Sequence, residues 1–397
     1  APMTSHLRLV ALLVISLACG CRTSQPPPTT AKTPADIDPG VPFVRAWEAN
    51  RNGQPERAME LLREAAALGW DIPLDPKDFP GISERREWKE LAKSAAAREP
   101  RTANAEVAFT LHEKGLVAEG VAAEPETRDL FISSIRTRKI LRVAPDGSVS
   151  DFVPSGGGGL LAPLGMKFDA ERNLLWVAAN ASPAMVGWDP SMRGRSGLFA
   201  FDRKTGELRR SAFITGEKHL LNDVAIAKDG TVFVTDSEAG AVHRLDPGAT
   251  ELTPVVKGGF IYPNGIVISG DHVVFAHAFG LHAIPLAGGA ASPVAGPFGF
   301  PLGGIDGLAL DGTTAYAIQN GLGTPRIVRF EIDPALPVVT SASVVETRNS
   351  LWHVPTTGAF LRGSFLYIAN SHVDALSDSG VAPEAMVETL VLKLPVK

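Results

Sequence analysis

The stretch IDGLAL at residues 305–310 places an aspartate between an apolar residue and a glycine, at the start of an otherwise buried strand pattern. Buried carboxylates are costly unless they are paired, hydrogen-bonded or bound to a cation. The same arrangement, a polar residue followed by a small or short one and then an apolar strand, occurs in AEGVA (118–122), LNDVAIA (221–227) and YPNGIVI (262–268). Recurrence at similar intervals indicates a chain built from repeated units.

Each opening pair is followed by two more strand patterns, such as LLWVAAN (174–180) and GLFAFDRKTG (197–206) in one unit. Asp146–Gly147 and Asp229–Gly230 are hairpin-turn signals between such strands. The second residues of the opening pairs are Gly120, Gly165, Asp223, Gly265, Gly307 and Gly358. Six units of three or four strands predict an all-β fold, a six-bladed β-propeller.

The predicted propeller spans residues 105–397, and its last unit is one strand short. The strand-like segment AEVAFTLHE (105–113) precedes the first opening pair. We expect it to supply the outer strand of the last blade, which would close the ring and remove a free edge. A β-sandwich, the rival fold, would not explain a repeat of this length.

A small α-helical segment is predicted before the propeller, over residues 43–100. In PERAMELLREAAALGW (55–70), Pro55 suits a first helical position, and apolar residues follow at helical spacing. The segment resembles a single degenerate tetratricopeptide unit, which cannot bury its own apolar face. Packing against the propeller is favoured over a role as a peptide-binding module.

The N-terminal residues 1–21 have the pattern of an export signal, a basic residue and then a mainly apolar run too short to span a bilayer. Their end resembles a bacterial lipoprotein signal, with Cys21 as the preferred lipidation site and Cys19 as the alternative; a plain cleaved signal stays open. The Pro/Thr-rich residues 22–42 predict a tether. These features predict a protein exported to the bacterial cell envelope, lipid-anchored in the periplasm or outer membrane, with membrane contact only through that anchor.

Composition narrows the function classes. The chain has 397 residues, a net charge of -5 and no lysine/arginine cluster, which argues against nucleic-acid binding. Because its two cysteines lie at positions 19 and 21, the predicted folded part has no disulfide or thiolate metal site. The sequence also lacks the GxSxG and HExxH motifs of serine hydrolases and zinc proteases.

The innermost strands of a propeller run beside its central channel, so equivalent residues converge there. The converging side chains are Glu119, Leu164, Asn222, Asn264, Asp306 and Thr357. An oxygen-bearing set without sulfur suits one hard divalent cation, with Ca²⁺ favoured and Zn²⁺, Mg²⁺ or Mn²⁺ compatible. The alternative is that Asn or Asp before glycine only caps the entrance of a strand.

The pairs Glu119-Gly120, Asn264-Gly265 and Asp306-Gly307 resemble the metal-binding set of the senescence-marker/gluconolactonase (regucalcin-like) family, which are six-bladed propellers. The stretch PTTGAFLRGSFLYIANSH (355–372) is similar to the corresponding blade. The resemblance implies Glu119, Asn264 and Asp306 as ligands of one divalent ion. It implies Asn222 as a fourth ligand or a substrate contact.

The segment Leu221-Asn222-Asp223 is also similar to one in the paraoxonases, related calcium-dependent lactonases. Two departures matter. The histidine pair of paraoxonases is matched here by Leu164 and Asn180, and their Glu-Asp motif by Glu119-Gly120. These departures disfavour the paraoxonase mechanism and a second metal ion.

The family resemblance implies a metal-dependent lactonase or esterase acting on a small molecule. The metal would polarise the substrate carbonyl, and Asp306 would also act as general base. The alternative is a non-catalytic envelope propeller with a structural metal that binds a protein or glycan partner. Another reaction on the same scaffold, such as the condensation of strictosidine-synthase-like propellers, also stays open.

Several further polar residues are candidates at the channel. His277 lies at the same phase of its unit as Asp236 and Asn320, and His353 precedes the last opening pair. We predict that both histidines contact substrate, with His219 as a similar case. Asp236 and Asn320 are candidates for hydrogen bonds to the metal ligands.

Overall fold

The computed structural model describes residues 38–98, 102–214, 216, 218–376 and 386–396. The predicted signal, Cys21 and the tether up to residue 37 lie outside the described residues, and they remain predictions. None of the described helices combines the length and the hydropathy needed to span a bilayer.

The described residues form three helices followed by strands that make six four-stranded antiparallel sheets. The helices are α1 Gly40–Arg51, α2 Pro55–Ala67 and α3 Arg86–Arg98. The strands of the first three blades are β1 Glu106–Leu111, β2 Ala118–Ala123, β3 Leu130–Ser134, β4 Lys139–Val143, β5 Val149–Val153, β6 Ala162–Asp169, β7 Leu174–Asn180, β8 Ser196–Asp202, β9 Leu208–Ile214, β10 Leu221–Ile226, β11 Val232–Asp236, β12 Ala241–Leu245 and β13 Thr253–Val256. Those of the last three blades are β14 Ile266–Ser269, β15 His272–His277, β16 Gly280–Pro285, β17 Ser292–Pro293, β18 Ile305–Asp311, β19 Thr314–Gln319, β20 Arg326–Asp333, β21 Val338–Thr347, β22 Gly358–Leu361, β23 Ser364–Ile368 and β24 Thr389–Pro395. The predicted all-β, six-bladed propeller with a helical N-terminal segment is confirmed.

The ring closes through the first strand. The sheet order β1-β24-β23-β22 puts β1 at the outer edge of the sixth blade. Its register pairs Glu106 with Lys393 and Leu111 with Thr389. The predicted closing role of residues 105–113 is therefore confirmed, and the last blade gains its fourth strand from the start of the propeller.

The opening pairs of blades one, two, three and five lie in β-bulges where neighbouring blades approach closely. In blade one, Ala118 pairs with Ser134 but Val121 pairs with Ile132, so Glu119 and Gly120 fall in a register shift. A Cβ at Gly120 would lie 2.0 Å from the Leu164 carbonyl oxygen of blade two. The bulge re-aims the polar side chain, and the glycine lets the next inner strand come into contact.

Blade six departs from the predicted register. A Cβ at Gly307 would meet the Thr356 carbonyl oxygen and Thr357 Cα, as Gly120 meets Leu164 in the first interface. Thr356 therefore holds the channel position assigned above to Thr357. Thr357 Oγ1 instead accepts a hydrogen bond from Val121 N and donates to the Glu119 carbonyl. The prediction was wrong by one residue because Gly358 was taken as the register mark.

The helical segment packs on the propeller near blades four and five. Leu322 joins the apolar core that α1, α2 and α3 share. Arg326 Nη1 donates to Asp71 Oδ1 at 2.9 Å, and Asp38 Oδ2 accepts from Leu302 N at 2.8 Å. Helix α1 begins at Gly40, so residues 40–42, predicted as the end of the tether, are helical.

Candidate metal site and active-site cavity

A cavity of about 370 Å³ lies where the first residues of the opening pairs converge. We call it the site cavity. Its polar wall consists of Glu119, Asn180, Ser182, Arg193, His219, Asn222, Glu238, Tyr262, Asp306 and Thr356. Its apolar wall includes Ile135, Leu164, Trp188, Val373 and Leu376. The structure thus brings together Glu119, Asn222 and Asp306, as the repeat predicted.

Asp306 is buried and held by two amides. Asn264 Nδ2 donates to Oδ1 at 2.7 Å, and Asn320 Nδ2 donates to Oδ2 at 2.6 Å. Asn320 Nδ2 also donates to the Pro355 carbonyl at 2.9 Å. Because both partners of Asn320 are acceptors, its amide orientation is fixed. Asn320 therefore positions Asp306, as its place at the end of β19 suggested.

Glu119 and Asn264 each present a buried oxygen without a partner. Glu119 Oε2 and Asn264 Oδ1 have no hydrogen bond in the described part of the chain. Burial, with repulsion from Asp306 and Asp223, raises the pKa of Glu119 well above its usual range. Burial also raises the pKa of Asp306 to about 7, against the hydrogen bonds from its two amide partners. Within the described part of the chain, neither acid forms an ion pair with a positively charged side chain.

Asn222 lines the site cavity and engages only the nitrogen of its side-chain amide among the described residues. Its Nδ2 donates to Ser237 Oγ at 2.9 Å, and Ser237 Oγ donates to the Pro263 carbonyl at 2.6 Å. The serine proton is committed to that carbonyl, so Ser237 can only accept from Asn222. The remaining Oδ1 of Asn222 is an oxygen available to a ligand in the cavity.

The donor chemistry fits a divalent cation. Two buried carboxyl groups and two amide oxygens are hard ligands of the kind calcium prefers. A bound cation would satisfy the unpartnered oxygens of Glu119 and Asn264, and it would remove the repulsion between Glu119 and Asp306. Among the described residues no lysine or arginine forms an ion pair with either acid, so the chain itself does not supply that charge.

His277 and His353 lie apart from the open cavity. His277 lines a small cavity of about 40 Å³ beside Asn264 and Asp306, with Val44 of α1 on its other side. Its Nδ1 accepts from Phe279 N at 3.3 Å, and its Nε2 lies 3.0 Å from His282 Nδ1. Burial lowers the pKa of His277 to about 3. It is therefore a neutral side chain with both nitrogens engaged.

His353 is half exposed, and its Nε2 lies 3.2 Å from Asp374 Oδ1. It is not part of the wall of the site cavity. Whether either histidine contacts substrate stays a prediction.

A buried His–Asp–His group was not predicted as a unit. His219 Nδ1 lies 2.6 Å and His243 Nε2 lies 3.2 Å from the same oxygen, Asp236 Oδ2. His219 and Asp236 were each predicted separately, and His243 was not predicted. Strand pairing brings them together: Leu221 is opposite Asp236 across β10 and β11. A hairpin register drawn from Asp229–Gly230 could have predicted that neighbourhood.

Tyr262 was also missed. It lines the site cavity and has a left-handed φ of 53°, a conformation that non-glycine residues rarely adopt. It stands two residues before Asn264 in the YPNG opening, so its backbone shapes the approach to a predicted ligand.

A second cavity, which we call the rear cavity, lies on the other side of the bulged pairs and measures about 430 Å³. Gly165, Asp223 and Thr357, the second members of three pairs, line it together with Lys167. Asp223 accepts from Val224 N at 2.8 Å and from Ile266 N at 3.2 Å, which ties blade three to blade four.

The fold and the site together define a six-bladed propeller with a cluster of buried oxygen ligands beside an open cavity. Residues 117–336, more than half of the chain, match the family described as the SMP-30/Gluconolactonase/LRE-like region. The chain belongs to this family. A comparison with curated protein sequences finds no match. The similarities to paraoxonases and to tetratricopeptide units stay predictions.

Solved structures with a similar fold include a gluconolactonase from Xanthomonas campestris, 16% identical, with a TM-score of 0.49 over 76% of this chain and 93% of that one. Another is the calcium-binding protein regucalcin from Agrobacterium tumefaciens, 16% identical, with a TM-score of 0.48 over 73% and 96% of the two chains. Virginiamycin B lyase from Staphylococcus aureus, 13% identical, gives 0.46 over 72% and 83%. At this identity the likeness concerns the fold.

Proposed function

We propose that the protein is a divalent-metal-dependent hydrolase of lactones or esters. The observation that carries the proposal is the pair of buried acids, Glu119 and Asp306, which line a cavity of about 370 Å³ and form no ion pair with any described residue. Glu119, Asn264 and Asp306 would hold the cation, with Asn222 as a fourth ligand or a substrate contact. Membership of the gluconolactonase-like family supports this assignment.

The cation, with Ca²⁺ favoured, would polarise a substrate carbonyl and stabilise the negative charge that develops on its oxygen. The residues of the chain have separate tasks. Asn320 and Asn264 orient Asp306. Ser237 orients Asn222. Leu164, Trp188 and the other apolar side chains of the cavity favour a substrate with an apolar substituent.

The test is hydrolysis of δ-gluconolactone, δ-valerolactone, γ-butyrolactone and phenyl acetate, followed by acid release with calcium, with zinc and with chelator. Asp306→Asn removes one charged ligand and keeps the side-chain shape. Asp311→Asn, an exposed position in the same strand β18, is the matched control. We expect metal-dependent turnover in the wild type and the control, and its loss in Asp306→Asn.

Turnover that survives both chelation and Asp306→Asn would contradict the proposal. No turnover on any substrate, with calcium still raising the melting temperature, would instead favour the non-catalytic propeller with a structural metal.

A further inference from the structure

His219 is the histidine whose ring lines the site cavity with one nitrogen engaged and the other open. Its Nδ1 lies 2.6 Å from Asp236 Oδ2. A charged carboxylate only accepts hydrogen bonds, so Nδ1 carries the ring proton and Nε2 keeps its lone pair. Among the described residues nothing is hydrogen-bonded to Nε2.

The surroundings of Asp236 keep its carboxylate ionised and hold it in one orientation. It is fully buried, and its Oδ1 accepts from Leu220 N at 2.9 Å and from Ala239 N at 3.2 Å. Burial pushes the pKa of Asp236 upward, but the hydrogen bonds from His243, His219 and the two amides outweigh burial and lower it. An ionised Asp236 holds His219 in one tautomer and one orientation.

Two other candidate bases near the cavity, Asp306 and His277, already have their polar atoms engaged in hydrogen bonds. Both oxygens of Asp306 accept from amides, and a bound cation would occupy the acid further. Both ring nitrogens of His277 are engaged by Phe279 and His282. A proton acceptor needs an open acceptor atom, and His219, which lines the cavity, offers Nε2. Of the acids on the same wall, Glu119 would hold the cation, and Glu238 has no described residue that fixes its orientation as Asp236 fixes His219.

The ligating atoms of His219, Asp236 and His243 lie within 4.8 Å of one another, so a metal ion among them is the alternative. Two ligand atoms about 2.1 Å from a tetrahedral zinc ion lie about 3.4 Å apart, whereas His219 Nδ1 and Asp236 Oδ2 are 2.6 Å apart. A metal on His243 Nε2 would also require a proton on Nδ1, which is buried with no acceptor among the described residues. The geometry favours a hydrogen-bonded group.

We propose that His219 is the proton acceptor of the hydrolysis and that Asp236 is its positioning residue. This inference rests on the proposed lactonase or esterase function. Nε2 takes one proton from a water molecule as the water oxygen bonds to the carbonyl carbon and the carbonyl π electrons move to the oxygen. When the carbonyl re-forms, the bond to the alkoxide breaks. His219 then returns the proton to the alkoxide, so a lactone and water give a hydroxy acid.

The decisive variant is His219→Asn. The asparagine Nδ2 can replace the Nδ1 donor to Asp236, while no basic nitrogen remains. We expect kcat on the substrate that the wild type turns over best to fall about 10²-fold or more, with KM within about twofold. The melting temperature and its rise with calcium should not change. His112→Asn, at an exposed histidine paired with Glu388, should behave as wild type.

A second variant tests the chemistry of the missing group. In His219→Ala the ring is removed at the cavity wall, and added imidazole should restore at least about tenfold of the lost rate. Asp236→Asn should lower kcat more than it changes KM, because an amide no longer fixes the tautomer. A purely structural role for His219 would not give imidazole rescue.

Each result decides between named alternatives. Activity of His219→Asn within about threefold of an active wild type, or no imidazole rescue of His219→Ala, would overturn this inference and leave the hydrolase standing. A zinc equivalent bound by the wild type and lost in His219→Asn would replace it by a metal site. A wild type that hydrolyses nothing would overturn both the proposed function and this inference.

Discussion

The site cavity and the rear cavity are lined by neighbouring residues of the same inner strands. They differ in the hydrogen bonds and charges that surround their buried acids. In the rear cavity, burial raises the pKa of Asp223 to about 6, while two backbone amides and the charge of Lys167 lower it in part. In the site cavity, Glu119 has an oxygen without a partner among the described residues, and burial together with the charges of Asp306 and Asp223 raises its pKa. The described residues thus compensate Asp223 in part, whereas Glu119 and Asp306 would be compensated by the proposed cation.

The bulges produce this division. In a regular strand, Glu119 and Gly120 would point to opposite faces of the blade. The β-bulge shifts the strand pairing between Ala118 and Val121, so the two residues leave this alternation. The first residue of a pair then reaches the site cavity, and the second contacts the next blade. A side chain that is costly to bury is therefore repeated around the ring without weakening the contact between blades.

Among substitutions that change the difference between the two cavities, we expect the largest effect from Glu119→Gln. The substitution removes the negative charge that Glu119 would carry with the proposed cation bound. We expect hydrolysis to fall about 10²-fold or more, and the rise of the melting temperature with calcium to be lost. The metal-free protein should melt within about 2 °C of the wild type, because the raised pKa of Glu119 already keeps this acid protonated without a cation. Calorimetry with and without calcium measures the second effect.

Glu251→Gln, at an exposed glutamate, is the control for that experiment. An unchanged calcium response in Glu119→Gln would mean that the cation lies elsewhere.

Gly120→Ala tests the contact between blades. The added Cβ would lie 2.0 Å from the Leu164 carbonyl, where only a shift of the backbone can make room. We expect a loss of about 2–3 kcal/mol in the free energy of unfolding, together with weaker calcium binding, because Glu119 moves with the strand.

Gly53→Ala separates overlap from backbone strain. Gly53 has a φ of 70°, and open space surrounds the position that an added Cβ would take, so this variant should lose only about 1 kcal/mol. Equal losses in the two variants, measured by urea unfolding, would refute the overlap at Gly120.

The sequence predicted the parts of the molecule that depend on local pattern. Strand alternation and the spacing of the pairs were sufficient for six blades and for the closing strand β1. The prediction for blade six was wrong by one residue, because a threonine and not a glycine stands at the close contact between the blades. There the hydroxyl of Thr357 forms hydrogen bonds with Val121 N and with the Glu119 carbonyl. A pattern of glycines does not mark a position that a threonine fills.

The His219–Asp236–His243 group was not predicted as a unit, for a different reason. Its members come from a loop and two strands, β11 and β12, and they meet only when the strand register is known. His277 is likewise kept neutral first by burial and then by His282, its neighbour across β15 and β16, and composition reveals neither effect. Side chains that depend on several elements need the assembled blade.

Asp223→Asn should affect the rear cavity, the second of the two cavities compared. The asparagine can accept one of the two backbone hydrogen bonds and loses the charge attraction of Lys167. We expect a loss of about 1–2 kcal/mol in the free energy of unfolding, with the calcium response of the melting temperature retained. If this variant lost calcium binding as Glu119→Gln does, the two cavities would act as one site.

The smallest expected effect is the pH dependence of the metal-free protein. The pKa of Asp306 is raised from its ordinary 3.8 to about 7 in the folded state. A raised pKa means that the folded state holds the proton more strongly, so this stabilisation is complete below pH 3.8 and is lost as the pH rises through 7. Between pH 6 and 8 the chelated protein should therefore lose about 1 kcal/mol of stability from this group. Calcium would hold Asp306 ionised in the folded state and flatten the curve. Parallel curves with and without calcium would mean that Asp306 does not contact the cation.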